Sequence, residues 1–468
     1  MWGKSAPARC AEIILSLFVK GHLVDIQLAA VIRIIRVMAR MLQRYPQYEQ
    51  TLVNIIQARN PQALEGGFIS HRLQVKRVAV PFGPGVQFLW ALGQLGWRFV
   101  GNVKTLRRLT TGETFDLFTK DIKWLCHIMR EDLRHMMRID ATLRRDDMRG
   151  LDTRDLDRKG TLAIHGRLKG PPKRTMATIL TGAVQTCCRL HRQKKLASNL
   201  CPHCDLRVPE SQYHMFHDCP AWEPERSQAG FDHSAVAQLP DCTKNCGLGL
   251  ISPILIEWEE SRESKPEPWL PQAQHRPDLE HPDARGLTQI WTDGSSIPAA
   301  QKSIHSGGCG AFWGEGHPNN FGISLPGKSQ TSDRAELYAI LRVLEMEQSR
   351  PVMLICDNKY VVDMLNHVWQ GGEAKCAHQD LWGRICTLLT CRTHEVRVKK
   401  TTGHTIQRHI QMGLSTEIDR LHNEKADQLA ETGALQNVPP PAVIADVLSR
   451  RALVSKIQKM RLGELCKN

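Results

Sequence analysis

The chain has 468 residues, a formal net charge of +14 and a pI of about 9.2, which is long enough for about three domains. Charges such as Lys20 and Asp25 interrupt its most apolar stretch, residues 11–42, so no uncharged run reaches membrane-spanning length and no membrane partner is expected. Fifteen cysteines without a signal peptide favour a reducing, intracellular compartment, nucleus or cytoplasm, over a secreted disulfide framework.

The positive charge is concentrated in the N-terminal half. Residues 1–200 carry 34 Lys/Arg against 15 Asp/Glu, whereas residues 287–435 carry 15 against 16. A basic half next to a near-neutral region predicts sequence-independent binding to nucleic-acid phosphates. The alternative is a solvated helical surface in which the arginines pair with nearby acids, since residues 130–149 carry both.

Residues 1–185 are predicted to form a mainly helical basic region, because apolar residues recur there at helical spacing. Breaks are expected at Pro81-Phe-Gly-Pro-Gly and at Gly170-Pro-Pro-Lys. No Asp-Asp pair follows an aromatic residue in a hairpin setting, as a polymerase palm needs. Asp146-Asp147 lies in an arginine-rich helical stretch and is predicted to lie at the surface.

A cysteine–histidine cluster follows, in residues 186–225. Its spacing is Cys-x2-Cys-x9-His-x4-Cys, formed by Cys201, Cys204, His214 and Cys219. A Cys-x2-Cys turn points two thiolates at one ion, and a later His and Cys complete a tetrahedral structural Zn²⁺ site. His217 is an alternative to His214. The segment resembles the zinc-binding segment that follows the polymerase in many non-LTR retrotransposon reverse transcriptases.

That resemblance implies a place for the residues around the cluster. By its position, the region 1–185 resembles the thumb and connection of a reverse transcriptase. Residues 226–286 are predicted to be an acidic, Pro-rich linker, because five prolines between residues 266 and 282 favour an extended spacer. Residues 436–468 are predicted to form a basic C-terminal tail helix.

Four acidic residues of the C-terminal third each adjoin a predicted element. They are Asp293, Glu336, Asp357 and Asp427. Taken singly, an acid in such a place is more often a turn former or a helix cap than a metal ligand. Four carboxylates from separate elements, however, can hold two divalent cations, and two such cations can cleave a phosphodiester bond.

The elements that carry these acids are predicted from periodicity. Strands are expected over residues 287–293, 307–316, 321–326, 352–356 and 395–399, and helices over 332–347 and 379–391. Ser332 is the expected N-cap of the helix that carries Glu336. The run 352–356 is continuously apolar, as expected of a buried central strand, and Asp357 follows it.

These motifs resemble a type-1 ribonuclease H domain, which cleaves the RNA strand of RNA–DNA hybrids. The most specific pieces are Arg334-Ala-Glu-Leu337 and Asn423-Glu-Lys-Ala-Asp427. The resemblance implies that the four acids hold two Mg²⁺ or Mn²⁺ ions. It also implies a catalytic histidine, His404, and substrate contacts from Gly294, Ser332 and Asn423, of which Gly294 and Ser332 are placed to read 2′-hydroxyls.

The sequence departs from the family pattern in two stretches. Between His404 and Asp427 there are 22 residues, about a dozen more than in the pattern, so residues 405–417 look inserted and His409 rivals His404. The stretch from residue 369 to 379 is short and lacks the basic handle with which some members grip the hybrid. Ser332 and Lys359 replace the family's usual Asn and Gln, so the substrate surface is expected to differ.

We therefore predict an α/β fold at the C-terminal side, a ribonuclease H-like mixed five-stranded sheet with flanking helices over residues 287–435. A mainly helical region and a small zinc-binding segment precede it. The predicted function is a two-metal endonuclease on the RNA of RNA–DNA hybrids, in a retroelement-derived protein. The alternatives are a catalytically decayed nucleic-acid-binding module and a transposase-like nuclease, against which the Arg-Ala-Glu-Leu helix argues.

Overall fold

The computed structural model describes residues 26–51, 53–54, 84–117, 122–228, 230, 233–300, 302, 304–370, 378–403, 407–413 and 415–467. The chain divides into two compact units. The first comprises residues 1–251 with 450–468, and the second comprises residues 252–449. Within the described residues, no helix is long and apolar enough to cross a membrane.

The first unit is mainly helical, as predicted, but it also contains a three-stranded antiparallel sheet that the sequence analysis did not predict. Its helices are α1 (Ile26–Arg44), α2 (Pro84–Gln94), α3 (Ile122–Arg144), α4 (Arg158–Leu162), α5 (Gly170–Leu180), α6 (Cys187–Arg192), α7 (Glu223–Gln228), α8 (His233–Ala237) and α9 (Asp241–Cys246). Its strands, paired in this order, are β1 (Trp97–Val100), β2 (Asn102–Arg108) and β3 (Thr114–Asp116).

Two apolar cores stabilise the first unit. One joins α1, α2 and α3 to the small sheet, where Trp97 is fully buried and its indole N–H donates to Asp132 at 2.8 Å. A buried indole keeps its N–H paired in this way because an unpaired donor costs free energy. The other core contains Cys242 and Cys246, whose burial raises the pKa of both thiols. These two cysteines therefore act as packing residues.

The second unit is built on a mixed five-stranded sheet. Its strands are β4 (Thr288–Ala299), β5 (Ile304–Phe312), β6 (Phe321–Ser324), β7 (Val352–Cys356) and β8 (Val396–Lys400). The order is β6-β5-β4-β7-β8; β4 pairs in parallel with β7 and antiparallel with β5. Every residue of β7 is buried, which confirms the prediction of an interior strand.

Helices complete the second unit. They are α10 (Pro253–Glu263), α11 (Ser332–Met346), α12 (Lys359–Trp369), α13 (Gln379–Cys391), α14 (Gln407–Gln411) and α15 (Glu417–Leu435), with α16 (Pro441–Lys467) beginning in this unit. The predicted helix over residues 379–391 is confirmed. The N-cap of α11 is Thr331, whose side chain accepts from the Arg334 N–H, so the prediction of Ser332 as N-cap was wrong by one residue.

The predicted linker over residues 226–286 differs most from the structure. It contains α8, α9 and α10, and its last part packs onto the second unit. Glu280 is buried and accepts from Arg350 at 2.6 Å, and Leu270 packs against the main core. Proline content favours an extended backbone but does not show whether that backbone is solvated. Here it lies against the domain.

Candidate active site and cysteine–histidine cluster

Two of the four acids, Asp293 and Asp357, directly follow the last residues of a parallel strand pair. The parallel pairing of β4 with β7 runs from Thr288 to Thr292, and Asp293 is the next residue. β7 ends at Cys356 and Asp357 follows it. Neighbouring parallel strands bring these two carboxylates to the same edge of the sheet, where ligands commonly bind. The prediction that the strand ends at Asp293 was wrong, because pairing with β5 extends β4 to Ala299.

The third acid reaches the same place through a close approach of helix to strand. A Cβ atom on Gly294 would lie 2.2 Å from the Glu336 backbone nitrogen, so only glycine allows α11 to pack this closely on β4. The Ser332 hydroxyl donates to the Gly294 carbonyl at 3.0 Å and holds the helix start in place. Gly294 and Ser332 thus have structural roles here, and their contacts to substrate stay a prediction.

The four predicted acids line one pocket. Ligand atoms of Asp293, Glu336 and Asp357 all lie within 4.8 Å of one another, close enough to coordinate a common ion. Asp427, on α15, lines the same pocket outside that tight group. The other lining residues are Gly294, Ser295, Ser296, Ser332, Thr402, Arg420, Asn423 and Glu424. The structure therefore places all four acids at one pocket and three of them in a tight group.

The electrostatics of the group reflect crowded buried carboxylates. Burial, followed by the charge of Asp357, raises the pKa of Asp293 to about 7. Burial and the charges of Asp293 and Asp357 raise the pKa of Glu336 well above its usual range. Like charges in a desolvated site disfavour ionisation unless a cation neutralises them. The donor set, all carboxylate oxygen, suits hard divalent cations such as Mg²⁺.

Two neighbours of the acids were missed by the sequence analysis. The buried Cys356 thiol donates to Glu336 Oε2 at 3.5 Å. A Cβ on Gly403 would lie 2.4 Å from Asp357 Oδ2, so the loop after β8 passes directly against that carboxylate. Gly403 directly precedes the predicted catalytic residue His404, but the role of Gly403 itself follows only from the packing of the loop.

Asn423 lies at the same pocket and has an amide oxygen that is unpaired within the described residues. Its side chain is 7% exposed and lines the pocket. Its Oδ1 atom has no hydrogen-bond partner within the part of the chain that the structure describes. A buried polar atom without a partner costs about 1–3 kcal/mol. The contact of Asn423 with substrate stays a prediction.

Of the two predicted catalytic histidines, His409 alone lies within the residues that the structure describes. His404 is outside the described residues, as are residues 371–377 of the short stretch where the family handle is missing. His409 lies on the short helix α14 and is not among the described residues that line the pocket. The choice between His404 and His409 therefore stays a prediction.

The predicted zinc ligands also come together in the structure. Cys201, Cys204, His214 and Cys219 place their ligand atoms within 4.8 Å of one another. The Cys201 and Cys219 sulfurs are 3.9 Å apart, and the Cys204 sulfur lies 3.4 Å from His214 Nε2. Separations of this size fit four ligands at about 2.0–2.3 Å around a tetrahedral ion.

His217, the alternative ligand, points elsewhere. Its Nε2 lies 2.8 Å from the Lys244 carbonyl oxygen and 3.1 Å from an Arg461 guanidinium nitrogen. His214, not His217, completes the group of four. The sequence spacing is compatible with either histidine as the fourth ligand. In the structure, the helical turn His214–Asp218 places the His214 ring beside the three cysteines.

Comparison with known proteins agrees with this geometry. The family model described as RNase H matches residues 286–435. The chain is 30% identical to Ribonuclease H of Schizosaccharomyces pombe over 154 residues, which cover 31% of this chain and 52% of that protein. It is also 30% identical to human Ribonuclease H1 over 151 residues, covering 32% and 50%. The chain thus spans about half the length of the curated relatives it matches.

Solved structures match about a third of the chain. A foamy viral protease-reverse transcriptase in complex with dsDNA is 26% identical, with 32% of this chain and 94% of that chain covered and a TM-score of 0.24. RNase H1 from Halobacterium salinarum NRC-1 is 20% identical, with 32% and 98% covered and a TM-score of 0.21. Residues 286–435 form an RNase H domain, which confirms the fold class predicted from the sequence.

Proposed function

We propose that the RNase H domain hydrolyses the RNA strand of RNA–DNA hybrids with the help of divalent metal ions. The observation that supports this most directly is the group of Asp293, Glu336 and Asp357, three carboxylates packed within 4.8 Å of one another. Three ionised carboxylates this close together repel one another unless cations neutralise them. Such a group is therefore typical of a site that binds cations for its function. A catalytically decayed module is not favoured, because all four acids remain at one pocket.

We assign separate roles in this reaction to the residues that line the pocket. Asp293, Glu336 and Asp357 would hold the ions, with Asp427 completing one of two sites. Bound Mg²⁺ or Mn²⁺ supplies activation of water and stabilisation of the leaving oxygen. Asn423 orients the substrate through its unpaired amide oxygen. Gly294 and Ser332, at the pocket wall, select RNA through its 2′-hydroxyls.

A cleavage assay tests the proposal. Purified protein comprising residues 1–468 is incubated with an end-labelled RNA–DNA hybrid, with Mg²⁺ or with EDTA. Duplex DNA and single-stranded RNA of the same sequence are incubated in parallel. Cleavage of the RNA strand of the hybrid alone, and only with Mg²⁺, is expected. Equal cleavage of duplex DNA would favour a transposase-like nuclease, and absence of cleavage would leave a binding module.

Arg420 is expected to contribute to substrate binding. It is the one basic residue among the described residues that line the pocket. It lies two helical turns before Asp427 on α15, and Glu417 accepts from its Nε at 3.0 Å. A guanidinium in this place suits a phosphate oxygen of the substrate. Arg420→Gln should raise the KM for hybrid about tenfold, with a smaller change in kcat.

The control for Arg420 is Lys425→Gln, which removes one positive charge from an exposed position of the same helix. Arg420→Lys should restore part of the lost affinity, because it keeps the charge without the fork of donors. Steady-state kinetics at several salt concentrations separate the two parameters. Equal KM values for Arg420→Gln and Lys425→Gln would reject a substrate contact.

The zinc site is proposed from the second group of ligands. Cys201, Cys204, His214 and Cys219 would hold one structural Zn²⁺. The purified protein should carry about one zinc per chain, and Cys204→Ser should lose it and destabilise the first unit, because metal binding and local folding are coupled. Elemental analysis and thermal melting measure both effects. Cys391→Ser, at an exposed cysteine, is the control; wild-type protein without zinc would contradict the proposal.

The retroelement origin is also a proposal. It is supported by the order of the elements along the chain, in which a Cys-x2-Cys-x9-His-x4-Cys group precedes an RNase H domain. The partners proposed on this basis are RNA–DNA hybrids and other nucleic acids.

A further inference from the structure

The structure divides the basic residues of the first unit into two classes. Between residues 104 and 149, six of them form ion pairs with acids of the same unit. The pairs are Lys104–Glu49, Arg108–Asp132, Arg134–Glu131, Arg138–Asp155, Arg145–Asp147 and Arg149–Asp146. Paired charges largely cancel each other's field at a distance. Within residues 130–149 this agrees with the alternative in which the arginines pair with nearby acids.

In residues 158–200, most of the basic residues have no acidic partner within the described part of the chain. This stretch contains ten Lys and Arg and no Asp or Glu. Seven of the ten are exposed and make no ion pair with any residue that the structure describes. They are Arg167, Lys169, Lys173, Arg174, Arg192, Lys194 and Lys195. Their charge is therefore compensated by mobile counterions, which a polyanion can displace.

We infer that the acid-free segment 158–200 is a docking surface for the phosphate backbone of nucleic acid. Its uncompensated positive charge complements a polyanion, and release of counterions supplies the binding free energy. The second unit does not provide this attraction, since residues 287–435 are close to neutral and their pocket is lined by acids. The inference does not depend on cleavage, because it concerns binding by the first unit.

A membrane surface fits the segment less well than nucleic acid does. A helix that lies on a membrane presents an apolar face beside its basic one. In α5 the apolar residues Met176, Ile179 and Leu180 are buried in the core of the unit. Large exposed apolar side chains in the segment are limited to Leu196 and Leu200. The exposed surface offers charge without an apolar face.

A comparison of two charge-neutralised variants tests the inference in the full chain. Both carry Asp357→Asn to prevent cleavage, so binding is measured apart from activity. The segment variant adds Lys169→Gln, Lys173→Gln, Arg174→Gln and Lys195→Gln. The control adds Lys104→Gln, Arg134→Gln, Arg138→Gln and Arg149→Gln, which remove the same total charge from residues that pair with acids of the first unit. Binding to an RNA–DNA hybrid and to duplex DNA is titrated against salt.

The segment variant should reduce the slope of log affinity against log salt by about 3 to 4, because each lost phosphate contact removes about 0.9. The control should change the slope by less than about 1. Circular dichroism and melting confirm that both variants stay folded. Equal slopes for segment variant and control would overturn the inference, since net charge alone would then explain binding. Tighter binding of the parent protein to phosphatidylserine vesicles than to either duplex would overturn it in favour of a membrane surface.

Discussion

Replacement of Asp357 by asparagine is expected to abolish Mg²⁺-dependent cleavage of an RNA–DNA hybrid while the chain stays folded. Asp357 is one of three carboxylates within 4.8 Å of one another, so its removal takes an anionic ligand from the shared ion site. A loss of about a thousandfold or more in rate, equivalent to about 4 kcal/mol of transition-state stabilisation, is expected. Single-turnover cleavage at saturating hybrid measures it.

The matched control is Asp363→Asn, an exposed acid on α12 within seven residues of Asp357. Asp363→Asn replaces a carboxylate by an amide, as Asp357→Asn does, and it also lies after β7 in the chain. We expect its activity to be close to that of the wild type. Wild-type cleavage rates in both variants would reject metal-dependent catalysis at this pocket.

The same substitution should have a characteristic effect on stability without metal. The pKa of Asp293 is raised to about 7 in the folded chain, above the usual 3.8. The folded protein therefore favours protonated Asp293. The contribution of this group to the free energy of unfolding is complete below about pH 4 and is lost as the pH rises towards about 7. Asp357→Asn should reduce this loss, because the Asp357 charge is the second cause of the shift after burial.

Melting temperatures in EDTA at both ends of this pH range measure the effect. At neutral pH, Mg²⁺ should raise the melting temperature of the wild type by mass action and that of Asp357→Asn by less. A wild-type melting temperature that rises between these pH values in EDTA would contradict the picture of a crowded carboxylate group.

Truncation to residues 286–435 is expected to unfold or severely destabilise the domain, whereas residues 252–449 should fold. The shorter span removes Glu280, whose carboxylate accepts from Arg350 at 2.6 and 2.7 Å and lies 3.3 Å from His317 Nε2. Burial tends to raise the pKa of Glu280, but the hydrogen bonds from Arg350 hold it at about 2. Removal of one partner from a buried ion pair costs about 3–5 kcal/mol.

Other contacts are lost on the same truncation. Glu267 forms two hydrogen bonds with Arg384, at 2.6 and 2.9 Å, and Gln274 and Asn319 bond to each other through backbone and amide groups. At the other end of the sheet, Leu255 and Val443 pack against Ile304. Together these losses approach the whole stability of an ordinary domain, about 5–15 kcal/mol.

Urea unfolding of the two fragments, monitored by circular dichroism, tests this prediction. A point variant, Glu280→Ala in residues 252–449, should reproduce part of the loss, and Asp278→Ala is its control, because Asp278 pairs with Arg276 at an exposed position. Equal midpoints for the two fragments would show that the arm formed by residues 264–285 is dispensable. Residues 264–285 are part of the predicted linker 226–286, so this experiment shows whether they are a solvated spacer or a part of the folded domain.

Several features were determined by the sequence alone. The four acids, their order and the elements beside them identified the fold, because period-2 and period-3.6 patterns report which faces are buried. β7 and α13 lie where the patterns predicted. The spacing of Cys201, Cys204, His214 and Cys219 was likewise sufficient to predict one ligand group, since two residues between cysteines form a turn that is local in the chain.

Other features were decided by tertiary structure. The extent of β4 beyond Asp293 depends on its pairing with β5, and the need for glycine at position 294 depends on the approach of α11. The burial of Glu280 depends on Arg350, a residue 70 positions away. The seven exposed basic residues of segment 158–200 that make no described ion pair could be identified only after the structure had shown which other basic residues pair with acids. Local sequence reports propensity and periodicity, whereas partners that are distant in the chain are selected by packing.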